Sequence, residues 1–168
     1  YKLFAGLIYN DEKSLSKALA MLEIEYGNID FESESFVFDL TEYYNKEMGV
    51  NLKRKFVSFE KMVQPYMISG IKIKTNEIES EIADSLSASR RVNIDPGLMS
   101  LANIILVSTK DFSHRIPLNN GIYGEITLIY KGRHFEALPW TYPDYKLQLT
   151  QEFFKKVRQK MMKEVKAQ

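Results

Sequence analysis

The stretch SHRIPLNNGIYGEITLIYKGRHFEAL, residues 113–138, decides the fold. It holds three short segments, separated by Asn120-Gly121 and Lys131-Gly132. Asn-Gly is the strongest short hairpin signal, because both residues tolerate the positive φ angles of tight turns between antiparallel strands. The stretch therefore predicts a three-stranded antiparallel meander. Its predicted strands are 113–118, 122–130 and 133–138.

The residues before the meander alternate predicted strands with predicted helices. Apolar runs and apolar–polar alternation predict strands at 2–9, 35–40, 53–59 and 91–95. Apolar residues at three- and four-residue steps predict a helix after Asn10 and another that begins at Pro65. Asp95-Pro96-Gly97 predicts a turn, and the apolar run 104–107 a central strand. The first part of this order, strand–helix–strand–strand–helix–strand, is that of a ferredoxin-like unit.

A helix is predicted after the meander. Thr141 and Asp144 are spaced as in a capping box and Pro143 stands in the first turn, which predicts a C-terminal helix at 141–166. We therefore expect a single α+β domain over residues 1–168 with a mostly antiparallel sheet. Its ferredoxin-like βαββαβ first part is extended by the three-stranded meander, and the C-terminal helix packs on it.

Composition narrows the classes of function. The chain has 168 residues, 45% hydrophobic and 27% charged, with a formal net charge of +1 and no cysteine. Disulfides, iron–sulfur clusters and cysteine nucleophiles are therefore excluded. No apolar run is long enough to cross a membrane, and the stretch 1–9 lacks the basic leader of a signal peptide. We expect a cytoplasmic location and no membrane partner.

Three common cofactor and metal motifs are missing from the sequence. It contains no G-x-x-x-x-G-K-[ST] P-loop, no G-x-G-x-x-G dinucleotide fingerprint and no H-E-x-x-H zinc motif. No motif therefore identifies a cofactor.

His114 and two glutamates share a predicted face of the meander. With two-residue turns, His114, Glu125 and Glu136 lie together. The other, core face carries Ile126, Leu128, Tyr130, Phe135 and Ala137. A histidine beside Glu125 or Asp111 can act as a general base that the carboxylate orients. His114 with Glu125, Glu136 or Asp111 would also suit a divalent metal. A half-solvated sheet face with one ion pair is the third interpretation. Ser113 points away from His114 on the predicted strand, which excludes a serine nucleophile activated by it.

A dense polar segment, 110–115, follows the predicted strand 104–107. Ligand sites favour loops just beyond strand ends. The guanidinium of Arg115 suits a phosphate or carboxylate ligand. It equally suits a structural pair with Asp111 or Asp95.

Two further polar clusters complete the candidate site. The first comprises two arginines, an asparagine and an aspartate: Arg90, Arg91, Asn93 and Asp95. Asn93 and Asp95 share a strand face, although Asp95 also suits a role as a turn former. The second is Thr75-Asn76-Glu77 with Glu79, where a cap at a helix N-terminus is the other interpretation.

The predicted C-terminal helix is basic. Residues 151–168 carry six lysines and arginines against Glu152 and Glu164. Lysines on an outer helix face could contact the phosphates of RNA, but cations near a helix C-terminus are also stabilised by its dipole. Phe153 and Phe154 lie in or beside the apolar stripe rather than on the basic face, which does not favour nucleic acid as a partner.

Six stretches spread along the chain carry a resemblance to a known family. They are KLFAGLIY (2–9), SFE (58–60), KTNEIE (74–79), RVNIDPG (91–97), KDFSHRI (110–116) and WTYPDY (140–145). Over nearly its whole length the chain resembles the domain of unknown function 4416 family of bacteria and archaea. Some members carry a GTP-binding label, which this sequence, with no P-loop and no N-K-x-D motif, does not support. Because the family is uncharacterised, the resemblance implies no activity and no catalytic residues.

The leading hypothesis is a domain that binds a small anionic ligand, phosphorylated or carboxylated. Whether it is an enzyme is open; as one, it would use acid–base or metal-assisted chemistry. The catalytic candidates are His114 as base with Glu125 and Asp111 to orient it. The ligand-binding candidates are Arg115 and Arg91 for the anion, with Asn93, Asp95 and Asn76. The alternative is a non-catalytic protein- or RNA-binding module that uses the basic C-terminal helix.

Overall fold

A computed structural model describes residues 1–41, 43–83 and 89–166. The strands within these ranges are β1 (Lys2–Tyr9), β2 (Ile29–Glu32), β3 (Phe36–Val37), β4 (Lys53–Met62), β5 (Val92–Met99), β6 (Asn103–Ser108), β7 (Ile116–Pro117), β8 (Tyr123–Lys131) and β9 (His134–Ala137). The helices are α1 (Glu12–Tyr26), α2 (Asn45–Met48), α3 (Ile68–Ile82), α4 (Pro143–Lys146) and α5 (Gln148–Lys166), and a short 3-10 turn, Pro65–Met67, precedes α3. None of the described helices is both long enough and apolar enough to span a membrane.

The described strands form one antiparallel sheet. Its order is β2-β4-β1-β5-β6-β8-β7, with β3 beside β4 and β9 beside β8. The predicted α+β class with a mostly antiparallel sheet is confirmed. The first part has the ferredoxin-like arrangement, since β1 lies between β4 and β5, β2 lies on the far side of β4, and each pair is antiparallel.

The second strand of this unit lies earlier than predicted. It is β2, whereas only the two-residue β3 forms within the predicted range 35–40. Ile29 and Phe31 alternate with Asp30 and Glu32, which is the period-two pattern of a partly exposed strand.

Helices cover the sheet on both faces. On one face, α1 and α3 pack on β1, β4 and β5, with Leu15, Leu22, Ile71 and Ile78 among the buried side chains. On the other face, α5 packs on Phe4 and Phe56 through Phe153, Phe154, Val157 and Met161. Leu147, just before α5, and Val165, near its end, are exposed.

The predicted helix 141–166 is two helices, α4 and α5, joined by an extended Leu147. The hydroxyl of Thr141 bonds backbone groups of the preceding loop and of Thr127 rather than capping a helix. The carboxylate of Asp144 is buried in an ion pair, so the predicted capping box does not form.

Asp95-Pro96-Gly97, predicted as a turn, lies inside β5. β5 pairs with β1 along its whole length but with β6 only at residues 97–99. The N–H and C=O of Ile94 bond to side chains of α3 rather than to β1. Backbone groups of every second residue in a strand point to the same side, so those of Pro96, like those of Ile94, point towards β6. Proline has no N–H and cannot donate a hydrogen bond to β6. The ladder therefore stops there, and the two strands separate along residues 92–95.

A bulge interrupts the alternation of β8. Leu128 pairs with Ile104, but Ile126 pairs with Ile105, so Thr127 has no partner on β6. Because of this extra residue, two side chains an even number of residues apart lie on opposite faces of the sheet when the bulge lies between them.

This bulge separates the two glutamates that were predicted to share a face. Glu125 lies on the same face as Leu128, whereas Glu136 pairs with Ile129 and lies on the opposite face. The prediction that Glu125 and Glu136 lie together is therefore wrong. Ile126, predicted in the core, is 41% exposed.

The first strand of the predicted meander is short. Only β7 pairs with β8, because Pro117 has no N–H with which to extend the ladder. Ser113 and His114 lie in the turn before it, so the argument from opposite strand faces does not apply to them. Ser113 is exposed.

Candidate functional site

A cavity of about 530 Å³ opens where β5 and β6 separate. This volume is typical of sites for small molecules. Its walls come from β1, β4, β5, β6, α3 and α4, from Arg90 before β5, and from the segment that follows β6. Phe38 and residues 40–41 and 43–44 complete them. Its charged lining residues are Arg54, Lys72, Glu79, Arg90, Asp95, Lys110, Arg115, Glu125 and Asp144.

Helix α3 presents three polar side chains to the separated part of β5. Lys72, Asn76 and Glu79 share one helix face because they are four and three residues apart. Lys72 Nζ donates to the carbonyl of Ile94 at 2.9 Å, and Glu79 Oε1 accepts from its N–H at 2.6 Å. These side chains satisfy backbone groups for which β6 offers no partner. Asn76 lies mid-helix, so the interpretation as an N-terminal cap is wrong.

Glu79 is a buried carboxylate with a raised pKa. Burial raises the pKa of Glu79 to about 7, against the attraction of Lys72 and Arg90. Arg90 Nη1 lies 3.3 Å from Glu79 Oε2 and donates to Asn93 Oδ1 at 2.6 Å. The cavity therefore contains a carboxyl group that changes its protonation near neutral pH.

Arg54 is a deeply buried cation, with 3% of its side chain exposed. Its Nε lies 3.1 Å from Asp144 and its Nη1 3.3 Å from Asp95. Its guanidinium carbon lies 4.8 Å from the centre of the Phe56 ring. A Cβ at Gly6 would approach Nη2 to 2.5 Å, so a larger residue does not fit there.

Asp95 is more open to the cavity than the other lining carboxylates, with 29% of its side chain exposed. Its Oδ2 accepts hydrogen bonds from Arg54 Nη1 and from Asn93 Nδ2, at 3.3 and 2.9 Å. Its Oδ1 lies 3.7 Å from Lys72 Nζ, beyond hydrogen-bond distance. Within the described residues, one oxygen of Asp95 is thus left without a hydrogen-bond donor.

The outer end of the cavity carries Lys110 and Arg115 with two tyrosines. Lys110 Nζ donates to the hydroxyl of Tyr43 and lies 4.1 Å from the centre of its ring. Arg115 donates to the Lys110 carbonyl and to the Tyr142 hydroxyl, each at 2.8 Å. Both cations line the cavity, and the guanidinium of Arg115 is held to the backbone of Lys110.

Glu125 fixes Arg115 from behind. Its Oε2 accepts from Arg115 Nε at 2.7 Å and lies 3.0 Å from His114 Nε2, while its Oε1 accepts from Thr127 at 3.1 Å. The ring of His114 stacks on Trp140, with 5.0 Å between ring centres and 8° between planes. Only 2% of the Glu125 side chain is exposed, so it acts on the cavity through Arg115.

A family model described as Domain of unknown function (DUF4416) matches residues 1–161. The chain belongs to this family. No curated protein and no solved structure matches it. A function for this DUF4416 chain is therefore inferred from its own cavity.

The structure brings together most of the site residues predicted from the sequence. Those that line the cavity are Arg115, Glu125, Asn76, Asn93 and Asp95. His114 touches the site only through Glu125. Asp111 is exposed and does not line the cavity. The pair made by Arg115 is with Glu125, rather than with Asp111 or Asp95.

Arg91 lies away from the cavity, and its neighbour Arg90 contacts Asn93 instead. Burial raises the pKa of Asp11, the cap of α1, but hydrogen bonds from Ser14 and the charge of Arg91 hold it below its usual value. The cation that was predicted to hold an anion thus acts near α1.

Sequence reasoning missed Arg54, Lys72 and the role of Glu79. For each of these residues the sequence carries a feature that indicates its role. Arg54 lies two residues from Phe56 on one face of β4, and a cation on an apolar face indicates a buried partner. Lys72 and Glu79 flank Asn76 at helical spacing, which marks a polar stripe beside the buried apolar side chains of Ile71 and Ile78.

The geometry gives little support to a metal site or to a protein- or RNA-binding module on the basic C-terminal helix. Within residues 1–41, 43–83 and 89–166, no three His, Cys, Asp or Glu side chains are grouped as metal ligands would be. On α5, Lys160 pairs with Asp30 at 3.0 Å, and Arg158 donates to the carbonyl of Leu101 at 2.8 Å. These cations bind their own chain, while Lys155 and Lys156 are exposed.

Proposed function

We propose that the protein binds a small anionic ligand, phosphorylated or carboxylated, in the cavity between β5 and β6. One observation carries this proposal: five cationic side chains from four parts of the chain line a single cavity. They are Arg54 on β4, Lys72 on α3, Arg90 before β5, and Lys110 and Arg115 after β6.

The distribution of ion pairs supports an anion at the outer end. Arg54, Lys72, Arg90 and Arg115 each lie within 4.0 Å of a carboxylate. Lys110 contacts the Tyr43 hydroxyl and has no carboxylate partner among the described residues. A ligand carboxylate or phosphate would supply the missing negative charge.

Acid–base chemistry on the bound ligand would fall to Glu79 and Asp95. Groups that exchange protons in catalysis have pKa values near the working pH, and burial brings the pKa of Glu79 to about 7. Asp95 is the more exposed of the two carboxylates. His114 would contribute by positioning, because Glu125 lies between it and Arg115.

A thermal-shift screen tests this function. Inorganic phosphate, sugar phosphates, nucleotides and small carboxylates are added to the wild type and to Asn76→Trp, which fills part of the cavity. A binder at about 100 times its Kd stabilises the wild type by about 2.7 kcal/mol, and Asn76→Trp is expected to abolish this shift.

Gln159→Trp, on the exposed face of α5, is the control and is expected to keep the shift. The function is rejected if no anion in the panel stabilises the wild type, or if Asn76→Trp responds as the wild type does.

A further inference from the structure

The two ends of the cavity differ in chemistry. At the outer end, Arg115 donates to the backbone carbonyl of Lys110, and the ammonium group of Lys110 has no carboxylate partner in the described part of the chain. The Tyr43 and Tyr142 hydroxyls lie beside them. This end offers positive charge and hydrogen-bond donors, which suit the three terminal oxygens of a phosphate ester.

The inner end offers unused hydrogen-bonding groups of another kind. Oδ1 of Asp95 has no hydrogen-bond donor among the described residues. The side-chain amide of Asn76 also lines the cavity and makes no hydrogen bond within the described chain. A carboxylate oxygen accepts, whereas an amide both donates and accepts.

The charge around Asp95 favours a neutral ligand group there. Arg54 Nη1 lies 3.3 Å from one oxygen of this carboxylate, and Lys72 Nζ lies 3.7 Å from the other. An ammonium group would meet these two cations at close range, and a second anion would meet the carboxylate itself. A hydroxyl group can donate to Asp95 and accept from Asn76 without either conflict.

We propose that the ligand is a phosphorylated polyol or sugar, with its phosphate on Lys110 and Arg115 and its hydroxyls on Asp95 and Asn76. This inference rests on the proposed function, since it specifies which anion the cavity takes. The cavity volume of about 530 Å³ is large enough for a phosphorylated polyol or sugar.

A matched ligand pair tests the inner end. Glycerol 3-phosphate and n-propyl phosphate have the same number of carbons and differ in their hydroxyls. Isothermal titration of the wild type is expected to give about tenfold tighter binding of glycerol 3-phosphate, as one to two hydrogen bonds would produce. Glucose 6-phosphate and inorganic phosphate extend the series, and glycerol without phosphate is expected not to bind measurably.

Two variants test which end of the cavity binds the phosphate and which end binds the hydroxyls. Asn76→Ala is expected to bring the two ligands within about threefold of each other by weakening glycerol 3-phosphate alone. Lys110→Ala is expected to weaken both ligands alike, by about tenfold or more. Asn76 makes no side-chain hydrogen bond and Lys110 is exposed, so both variants are expected to fold. Gln159→Ala and Lys131→Ala are the matched controls.

The failures of the two proposals are distinguishable. If phosphate esters bind but propyl and glycerol phosphates bind equally, the polyol assignment is overturned and anion binding stands. An unchanged ligand preference in Asn76→Ala, or unchanged phosphate affinity in Lys110→Ala, overturns it as well. If no anion binds the wild type, the proposed function fails and this inference fails with it.

Discussion

The carboxylate of Glu79 accepts a hydrogen bond of 2.6 Å from the backbone N–H of Ile94, where a neighbouring strand would otherwise supply a carbonyl. Lys72, two helical turns earlier on α3, donates to the carbonyl of the same residue. Side chains of helix α3 thus form the hydrogen bonds that β6 does not form with this part of β5. The cavity exists because the strands separate at this point.

Glu79 is expected to make stability depend on pH. Its pKa is about 7 in the folded chain, mainly because of burial, against 4.5 for the ordinary carboxyl. The folded state therefore holds the proton longer, so the contribution of Glu79 to the free energy of unfolding falls as pH rises from about 4.5 to about 7, by about 3 kcal/mol. Urea unfolding at about pH 5 and about pH 8 measures this change.

Glu79→Gln, which cannot titrate, is the matched variant and is expected to lose most of this fall. Parallel stability–pH profiles for the wild type and Glu79→Gln would contradict the assignment.

Lys72→Met is expected to destabilise the fold. The substitution leaves the carbonyl of Ile94 buried without a donor and removes a cation beside Asp95, so the free energy of unfolding drops by about 2 kcal/mol. Lys74→Met on the same helix removes only ion pairs that are open to solvent, and it is expected to cost clearly less stability than Lys72→Met. Equal losses in the two variants would show that the contact with Ile94 contributes nothing.

Two glycine substitutions are expected to act in opposite directions. In Gly6→Ala the new Cβ would lie 2.5 Å from Arg54 Nη2 and 2.9 Å from the Phe56 ring, which predicts a loss of about 1–3 kcal/mol. In Gly70→Ala, within α3, nothing lies within 4 Å of the new Cβ, and the gain in helix propensity predicts about 0.5 kcal/mol of stabilisation. Thermal and urea unfolding of both variants test the close approach of Arg54 to β1.

Trp140 is expected to report on His114. It is the one tryptophan of the chain, and its ring stacks on the imidazole. The imidazole therefore shields one face of the indole from water. In His114→Ala that face is open to water, so the tryptophan emission is expected to shift to longer wavelength, whereas His134→Ala, at an exposed site in β9, leaves the emission unchanged. An unchanged emission in His114→Ala would exclude the stacked arrangement in solution.

The parts of the fold that depend on neighbouring residues were predictable from the sequence. β1, α1, β4, β6 and the hairpin of β8 and β9 follow from apolar periodicity and turn residues within short windows. Asp95-Pro96-Gly97 predicts a turn because all three residue types favour turns. Its place inside β5 depends on β1, which lies about ninety residues earlier in the chain and pairs with it along its whole length.

The candidate site was predictable only in part, because some of its residues meet only through contacts between elements that are distant in the sequence. Asn93 and Asp95 are close in sequence, and their shared face follows from strand geometry. Arg54 reaches Asp95 and Asp144 only after three distant elements have packed. The bulge at Thr127, which decides that Glu125 rather than Glu136 meets His114, has no local sequence mark and depends on the partner strand β6.

The separation of β5 from β6 has a further consequence for how molecules of this protein meet one another. A strand with free backbone groups is a template to which a strand of another chain can add, and such addition leads to aggregation. At Ile94 both groups are already occupied by Lys72 and Glu79. The two side chains that border the cavity thereby also keep a foreign strand from joining the sheet at that residue.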